Sequence, residues 1–159
     1  MEDHAVRTVR RQDREVDERE ARAILEKGQY GVLSTVDASG VPYGVPLSYV
    51  YRDGEIYIHS AIEGRKVDNL TLTPTAQFSF CVVGATEVQP EMFSTRYESA
   101  IASGEVRELV DQAKINSLGW LIAKYSPGFE TQGAEYIASR HELTRVFALR
   151  IQHLSAKRR

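Results

Sequence analysis

Between residues 30 and 60, three strand-like segments follow one another with only tight turns between them. Tyr30–Val36 and Val41–Tyr51 are rich in β-branched and aromatic residues, and Glu55–Ser60 alternates isoleucine with tyrosine and histidine. The connections are residues 37–40 and Asp53-Gly54, the second of which is a pair typical of two-residue hairpins. Such short links allow only antiparallel neighbours, because a parallel crossover needs a dozen or more residues.

The second of these segments contains two prolines, Pro42 and Pro46. Proline cannot donate a hydrogen bond to a neighbouring strand, so this segment is predicted to start at an edge or to carry a bulge. In the third segment, Ile56 and Ile58 share one face, whereas His59 lies on the opposite face. One face of this strand is therefore predicted to pack in a core.

The rest of the chain adds strands and helices around this unit. Strands are predicted at Ala76–Val83, at Tyr97–Leu109 with a bend or bulge at Gly104, and at Thr144–Leu154, while Gly84–Ser94 is predicted to be a loop. Helices are predicted from an Asp17 cap to Gly28, over Arg65–Leu72, from an Asp111 cap to Tyr125, and around Ala134–Ser139. Strands joined mostly by short turns predict a mainly β fold, a small antiparallel barrel with flanking helices.

Length and charge limit the classes of function. A chain of 159 residues has room for one domain, predicted at residues 16–159 behind an arm at residues 1–15. The net charge of −2 argues against nucleic-acid binding, since no basic surplus is present to neutralise phosphates. No apolar run reaches the roughly 20 residues that cross a bilayer, and the N-terminus lacks an apolar signal core. With one cysteine, Cys81, the chain is expected to be cytoplasmic, with no membrane contact.

A basic pair opens the predicted helix that follows the third strand. Arg65 and Lys66 come directly after the turn Glu63-Gly64, and Ser60 ends the strand before it. Cations at a helix N-terminus oppose the helix dipole unless an anion is bound there, and free N–H groups at that end can bind phosphate. The segment predicts either a phosphate site or a solvated helix start.

His59 is the histidine best placed for chemistry, because it lies at a strand end beside this basic pair. A structural role as a packed or hydrogen-bonded histidine is the alternative. None of the four histidines has metal-ligand spacing with another or with Cys81, so no metal site is predicted. The sequence also lacks a G-x-S-x-G elbow, a Walker loop, a G-x-G-x-x-G motif after the first strand and an H-E-x-x-H motif.

Several segments, taken in their order and spacing, resemble one protein family. They are residues 13–16, 30–37, 42–49, 59–61 with Gly64-Arg65-Lys66 and Asn69-Leu70, and 96–99. Together they are similar to the FMN-binding split barrels related to pyridoxamine 5'-phosphate oxidase, and most of all to the nitroimidazole-resistance (Nim-like) branch. The resemblance runs from about Arg10 to the C-terminus.

The resemblance implies an FMN that lies across a homodimer interface and is contacted by both subunits. Arg65 and Lys66 match the pair that holds the flavin phosphate, with His59 and Ser60 at the strand end beside it. Ser99 matches a polar contact to the partner's flavin. The isoalloxazine is expected to be lined by the second strand, with two residues of the first strand nearby: Val45, Pro46, Leu47, Ser48, Tyr49, Ser34 and Thr35.

The resemblance implies an FMN-dependent oxidoreductase, in which a nicotinamide nucleotide or other donor reduces the flavin and a small acceptor such as a nitroaromatic or quinone receives the electrons. His59 is the candidate catalytic residue. The alternative is a non-enzymatic flavin or haem carrier or sensor on the same barrel. The C-terminal segment Gln152–Lys157 lacks the Arg-x-His pocket of the oxidase proper, so vitamin B6 oxidation is not expected. Ala156 replaces a common glycine of the branch, so no flavin role is assigned to Lys157.

Overall fold

Six antiparallel strands close into a barrel in the computed structural model, which describes residues 9–72 and 77–159. The strands are β1 (Tyr30–Val36), β2 (Pro42–Arg52), β3 (Glu55–Ser60), β4 (Gln77–Gln89), β5 (Ser94–Leu109) and β6 (Arg145–Arg158). Their order around the barrel is β1-β2-β3-β6-β5-β4. The predicted mainly β fold class is therefore confirmed.

The described residues also form four α-helices, which lie outside the barrel wall. They are α1 (Glu18–Lys27), α2 (Arg65–Leu72), α3 (Asp111–Tyr125) and α4 (Glu130–Arg140), and short 3-10 turns occupy Gln12–Arg14, Pro90–Met92 and His141–Leu143. The Asp17 carboxylate caps α1 by accepting a hydrogen bond from the Glu20 N–H at 2.8 Å, and Gly28 follows its last turn, as predicted. Within the described residues, no helix is long and apolar enough to cross a membrane.

The core fills the barrel and the space under α1. Tyr49 and Phe80 meet edge to face with ring centroids 5.0 Å apart, and both side chains are fully buried. A second, smaller cluster lies on the outside of the barrel, where α3 covers Tyr57, Leu109, Val146 and Ala148. The alternation predicted for β3 is confirmed, because Ile56 and Ile58 belong to the inner cluster and Tyr57 to the outer one.

The strand β2 changes partner halfway along its length. It pairs with β1 over Pro42–Ser48 and with β3 only over Tyr49–Arg52. Along Pro42–Ser48 the edge that faces β3 therefore has no strand beside it among the described residues. Both prolines lie in this half, where a missing N–H donor costs the sheet least. The split between β2 and β3 opens beside α2.

The predicted loop Gly84–Ser94 is wrong. The strand β4 continues to Gln89 and β5 already begins at Ser94, so the two form a long hairpin. A register shift between Val83 and Thr86 interrupts the ladder, which then resumes. Gly84 marks this irregularity rather than the end of the strand.

Three further element boundaries differ from the prediction. Asp111 is not a cap: Val110 is the N-cap residue, and Asp111 is the first helical residue with φ 49°. The helix predicted around residues 134–139 extends over Glu130–Arg140, and β6 continues to Arg158 because it pairs with β5 over most of its length. The basic tail is thus part of a strand.

Two predictions at the chain's ends and bends can be compared with the structure. In the predicted arm, Val9 is buried and Glu15 forms a bridge with Lys157. Residues 1–8 of the arm lie outside the described residues, as does Ala76, the first residue of a predicted strand. The bulge predicted at Gly104 is confirmed by a register shift between Ser103 and Gly104.

Candidate functional site

A buried polar chain fixes α2 against the first hairpin. Asn69 donates through Nδ2 to the Thr35 hydroxyl at 2.8 Å, and that hydroxyl donates to the backbone oxygen of Tyr43 at 3.2 Å. Asn69 and Thr35 are both buried, so these bonds are made away from water. The start of α2 is thereby held close to the turn between β1 and β2.

Arg65 lies on this turn. Its guanidinium forms an ion pair with Asp37 over 3.3 Å and lies 4.8 Å from the ring centroid of Tyr43. The same carboxylate accepts hydrogen bonds from the N–H groups of Ser39 and Val41, and these bonds, followed by Arg65, lower the pKa of Asp37. The planar cation is therefore oriented by one charge and one aromatic face, while it remains exposed.

Lys66 occupies a different environment from Arg65. It is half-buried, and its ammonium donates to the backbone oxygen of His59 at 3.3 Å. Burial lowers its pKa, and no carboxylate of the described residues forms an ion pair with it. A partly desolvated cation without a counter-charge favours an anion in its vicinity.

The backbone at the start of α2 adds hydrogen-bond donors. Gly64 has φ +122°, a conformation that favours glycine, and its carbonyl accepts the first helical bond from the Asp68 N–H at 3.0 Å. The N–H groups of the three residues before Asp68 consequently point out of the helix start. Ser60 is buried immediately behind this turn, at the end of β3. Arg65, Lys66 and these N–H groups are thus the donors available at the start of α2, and the phosphate site itself stays a prediction.

His59 lies on the outer face of β3, as predicted. Its side chain lines a pocket of about 200 Å³ formed with α3 and α4. Although its edge is exposed, the surrounding protein atoms desolvate the imidazole and lower its pKa, and Lys66 lowers it further. Near neutral pH the ring is therefore uncharged, with one N–H donor and one acceptor nitrogen.

The residues predicted to line the isoalloxazine divide between the two faces of β2. The side chains of Val45 and Leu47 pack against the core, and Tyr49 is fully buried with its hydroxyl donating to the Leu25 carbonyl at 2.6 Å. Pro46 and Ser48 point outward and are exposed. A ligand on this half of β2 would meet the outward side chains and the open backbone edge.

The point where β2 changes partner is closed by the C-terminus of α3, a contact that sequence reasoning missed. The Tyr125 hydroxyl accepts a hydrogen bond from the Tyr49 N–H at 2.9 Å, and the carbonyl oxygens of Gln29 and Tyr49 lie within its donor range. Lys124 donates to the carbonyls of Gly28 at 2.6 Å and Tyr49 at 3.0 Å. The sequence predicted only that this helix ends at Tyr125, not that its last residues reach β2.

The predicted polar contacts on β1 and β5 do not lie together. Thr35 is buried in the bonds to α2, whereas Ser34 points outward on β1 opposite Ser79. Ser99 pairs with Val83, four residues further along β4, which corresponds to about 13 Å. Within one chain, Ser99 is thus well separated from Ser34.

Solved structures share this architecture. A candidate 5-nitroimidazole antibiotic resistance protein from Bacteroides thetaiotaomicron superposes with a TM-score of 0.73 at 19% identity, covering 90% of this chain and 85% of that one. The flavocytochrome Anf3 from Azotobacter vinelandii gives 0.80 at 21% identity, covering 96% and 72%. An FAD and haem binding protein from Mycobacterium smegmatis gives 0.73 at 21% identity, covering 89% and 71%. At these identities the likeness establishes the fold alone.

The sequence itself gives the family. A comparison with curated protein sequences yields no match. Residues 17–158, however, match the family described as pyridoxamine 5'-phosphate oxidase, so the match includes the barrel, all four helices and the cluster around Arg65 and Lys66. The predicted family is confirmed, and the chain belongs to the pyridoxamine 5'-phosphate oxidase family.

Proposed function

We propose that the chain binds FMN and acts as a flavin-dependent oxidoreductase on a small acceptor. The observation that carries this proposal is Lys66, a half-buried ammonium without a carboxylate partner among the described residues, beside Arg65 at the start of a helix. A phosphate dianion supplies the charge that this arrangement lacks. The donor set fits the phosphate end of the cofactor.

Arg65 and Lys66 have different tasks in this proposal. Lys66 acts as a point charge whose position is set by its bond to the His59 carbonyl. Arg65 presents a planar donor that is oriented by Asp37 and Tyr43 and can bond two phosphate oxygens at once. The N–H groups of the α2 start complete the grip.

The planar ring system is assigned to the open edge of β2. Over Pro42–Ser48 this edge has no neighbouring strand in the part of the chain that the structure describes, so backbone donors and acceptors face the split between β2 and β3. Such groups suit the polar edge of an isoalloxazine, while Pro46 and Ser48 project outward next to them. FMN, when bound, supplies electron transfer between a donor and an acceptor. The chain's part is to bind, orient and shield it.

A homodimer is part of the proposal because an apolar row crosses the outer barrel wall. Pro46, Val32, Cys81 and Ile101 lie opposite one another on four neighbouring strands. Val32 and Ile101 are 38% and 48% exposed, which is typical of a surface that another chain covers. Across such an interface, Ser99 of one subunit would contact the flavin of the other.

His59 is the proposed proton donor or hydrogen-bond partner of the substrate. The neutral imidazole can donate a hydrogen bond from one nitrogen and accept one at the other, whereas proton donation requires the imidazolium, a form that the lowered pKa makes less populated. The ring faces the pocket under α3 and α4, so this role requires the acceptor to approach from that side. Replacing His59 with glutamine should lower the turnover number and leave FMN affinity within about twofold, because the phosphate grip is unchanged.

The binding test is a titration of the purified chain with FMN and riboflavin, followed by absorbance and fluorescence. A phosphate grip predicts that FMN binds at least about tenfold more tightly than riboflavin, which lacks the dianion. The double variant R65A/K66A should remove this preference without unfolding the barrel. A double variant on α1, R19A/K27A, makes the same charge change at exposed positions and should bind FMN normally. Equal affinity of the wild-type chain for both flavins would contradict the proposal that these residues bind the phosphate.

Catalysis needs a separate test. Bound FMN should be reduced by NADH or NADPH under anaerobic conditions, and reoxidised by a nitroaromatic or quinone. A flavin that binds tightly but is reduced by neither nucleotide would contradict the reductase and favour a carrier. A Soret band that appears on adding haem, and is lost in His59→Gln, would support the haem alternative instead.

The dimer is tested by light scattering. Ile101→Glu introduces a charge into the apolar row and should shift the chain to a monomer. Val110→Glu, at an exposed position before α3, is the matched control and should remain dimeric. A wild-type chain that is monomeric when loaded with FMN would contradict the proposed homodimer.

A further inference from the structure

The pocket beside His59 has the features of a second ligand site. It measures about 200 Å³ and lies between the end of β3 and the two helices α3 and α4. Its apolar walls are formed by Leu118, Leu121, Ile122 and Ile137. For comparison, an apolar cavity of about 150 Å³ in another protein binds benzene. The volume is therefore sufficient for one substituted ring.

The pocket also has polar lining residues. His59, Tyr136, Arg140, His141 and Thr144 complete the lining. A few polar groups at the edge of an apolar cleft fix the orientation of a ligand whose body is apolar.

The hydrogen bond of His141 defines its tautomer. Its Nδ1 lies 3.1 Å from the carbonyl oxygen of Ile137, which can only accept, so Nδ1 carries the proton. The other ring nitrogen, Nε2, is the acceptor in the neutral ring. A ligand hydroxyl could therefore donate to that form of the ring, and an anionic group would also need a partner of fixed positive charge.

Arg140 is that partner. Its guanidinium lies 6.0 Å from the ring centroid of Tyr136 and forms no ion pair with any carboxylate of the described residues. By contrast, the neighbouring Arg145 is paired with Glu108 at 2.5 Å. Arg140 is exposed, so its planar donors are accessible to a carboxylate, which they can bond in a bidentate manner.

We propose that this pocket binds a single-ring aromatic carboxylate, with the ring on the aliphatic walls and the carboxylate on Arg140. The site lies apart from the residues that bind the phosphate and shares only His59 with them. It is the side from which the proposed acceptor would approach His59, but binding of the carboxylate there does not depend on FMN being bound. The ring satisfies the size and polarity of the walls, and the carboxylate supplies the charge that Arg140 lacks. Both parts are required, so acetate and an uncharged ring should each bind more weakly than the aromatic carboxylate.

The test is calorimetric titration of the full chain with benzoate, benzyl alcohol and acetate, in the absence and presence of FMN. Benzoate should bind saturably below about 10 mM, the weak limit for a ligand of this size. Acetate and benzyl alcohol should bind at least fivefold more weakly. Benzoate affinity should be the same with or without FMN, so a failed flavin proposal would leave this result intact.

Two variants locate the site. Arg140→Met should weaken benzoate at least tenfold while benzyl alcohol changes less than twofold. Arg19→Met, which removes an exposed arginine of α1, should change neither. Ile122→Phe fills the pocket from its wall and should weaken both ring compounds. No saturable binding of benzoate, or equal losses in Arg140→Met and Arg19→Met, would overturn the proposal.

Discussion

The ammonium of Lys66 and the backbone oxygen of His59 are 3.3 Å apart, so one hydrogen bond joins the start of α2 to the end of β3. This contact brings a cation close to an imidazole. Burial is the larger cause of the lowered pKa of His59, and the charge of Lys66 is the second. The two residues that the family resemblance assigned to separate roles are therefore electrostatically coupled.

Replacing Lys66 with methionine should raise the pKa of His59. The like charge disappears, but burial remains, so the pKa should stay below its ordinary value of 6.5. The measurement is an NMR titration of the imidazole nitrogens. Arg65→Met serves as the control, because Arg65 is paired with Asp37 and is not among the groups that shift His59. An unchanged pKa in Lys66→Met would contradict the coupling.

The same lowered pKa predicts the direction in which the free energy of unfolding changes when the pH falls. Below pH 6.5 the unfolded chain binds a proton at His59 before the folded chain does, so the free energy of unfolding falls as pH falls through the folded pKa. His59→Gln should lose this part of the pH dependence. Urea unfolding of both proteins at several pH values between 5 and 8 measures this difference. If the two free energies of unfolding change with pH in parallel, the pH dependence does not come from His59.

Replacing Tyr125 with phenylalanine should destabilise the fold by about 1–3 kcal/mol, the cost of leaving a buried backbone group without a partner. The hydroxyl accepts from the Tyr49 N–H at the point where β2 leaves β1. Urea denaturation measures the loss. Tyr30→Phe removes a hydroxyl from a side chain that is 64% exposed and should change stability by less than about 0.5 kcal/mol. Equal effects would mean that the bond does not stabilise the split.

These residues indicate what a sequence can and cannot predict here. The turn at Asp53-Gly54 and the alternation around Ile58 depend on neighbouring residues only, and both were predicted correctly. The closure of the split joins Tyr49 to Tyr125, 76 positions later, and no local pattern reports such a contact. Nor could the periodicity of β2 indicate that its partner changes at Tyr49.

Some features of the candidate site could likewise be predicted from the sequence, and others could not. Arg65, Lys66 and His59 lie within seven residues, so their proximity was predictable from a strand, a turn and a helix start. The orientation of Arg65 depends on Asp37 and Tyr43, which lie on another hairpin. The pocket of Arg140 requires α3 and α4 to pack beside β3, and only the fold brings them there.

Gly104→Ala should be among the most damaging small substitutions in the barrel. A Cβ at this position would lie 1.8 Å from the backbone oxygen of Arg150, and backbone cannot move aside as a side chain can. We expect a loss of about 3 kcal/mol or more, measured by thermal or urea unfolding. At Gly44, also in a strand, the nearest atom to a Cβ is Val32 Cγ1 at 3.4 Å, so Gly44→Ala should be tolerated. Similar losses for both would contradict the steric role of the bulge.

The lowered pKa of Lys124 predicts how the free energy of unfolding changes with pH in the alkaline range. Its ammonium is half-buried against the carbonyls of Gly28 and Tyr49 and lies 4.1 Å from the Tyr49 ring centroid. Burial lowers its pKa from 10.5 to about 8. Between these values the unfolded chain binds more protons at this residue, so its contribution to stability rises with pH from about 8 to 10.5.

This dependence is isolated by comparing the wild-type chain with Lys124→Met, because contributions from the tyrosines cancel in the difference. The free energy of unfolding of the wild type, relative to the variant, should rise between pH 8 and 10, by no more than the 1.4 kcal/mol or so per pH unit that one proton allows. Lys114→Met removes a charge from the same helix without touching Gly28 or Tyr49 and serves as the control. A rise for Lys124→Met no larger than that for Lys114→Met would mean that water reaches the ammonium and that the closure of the split does not depend on its charge.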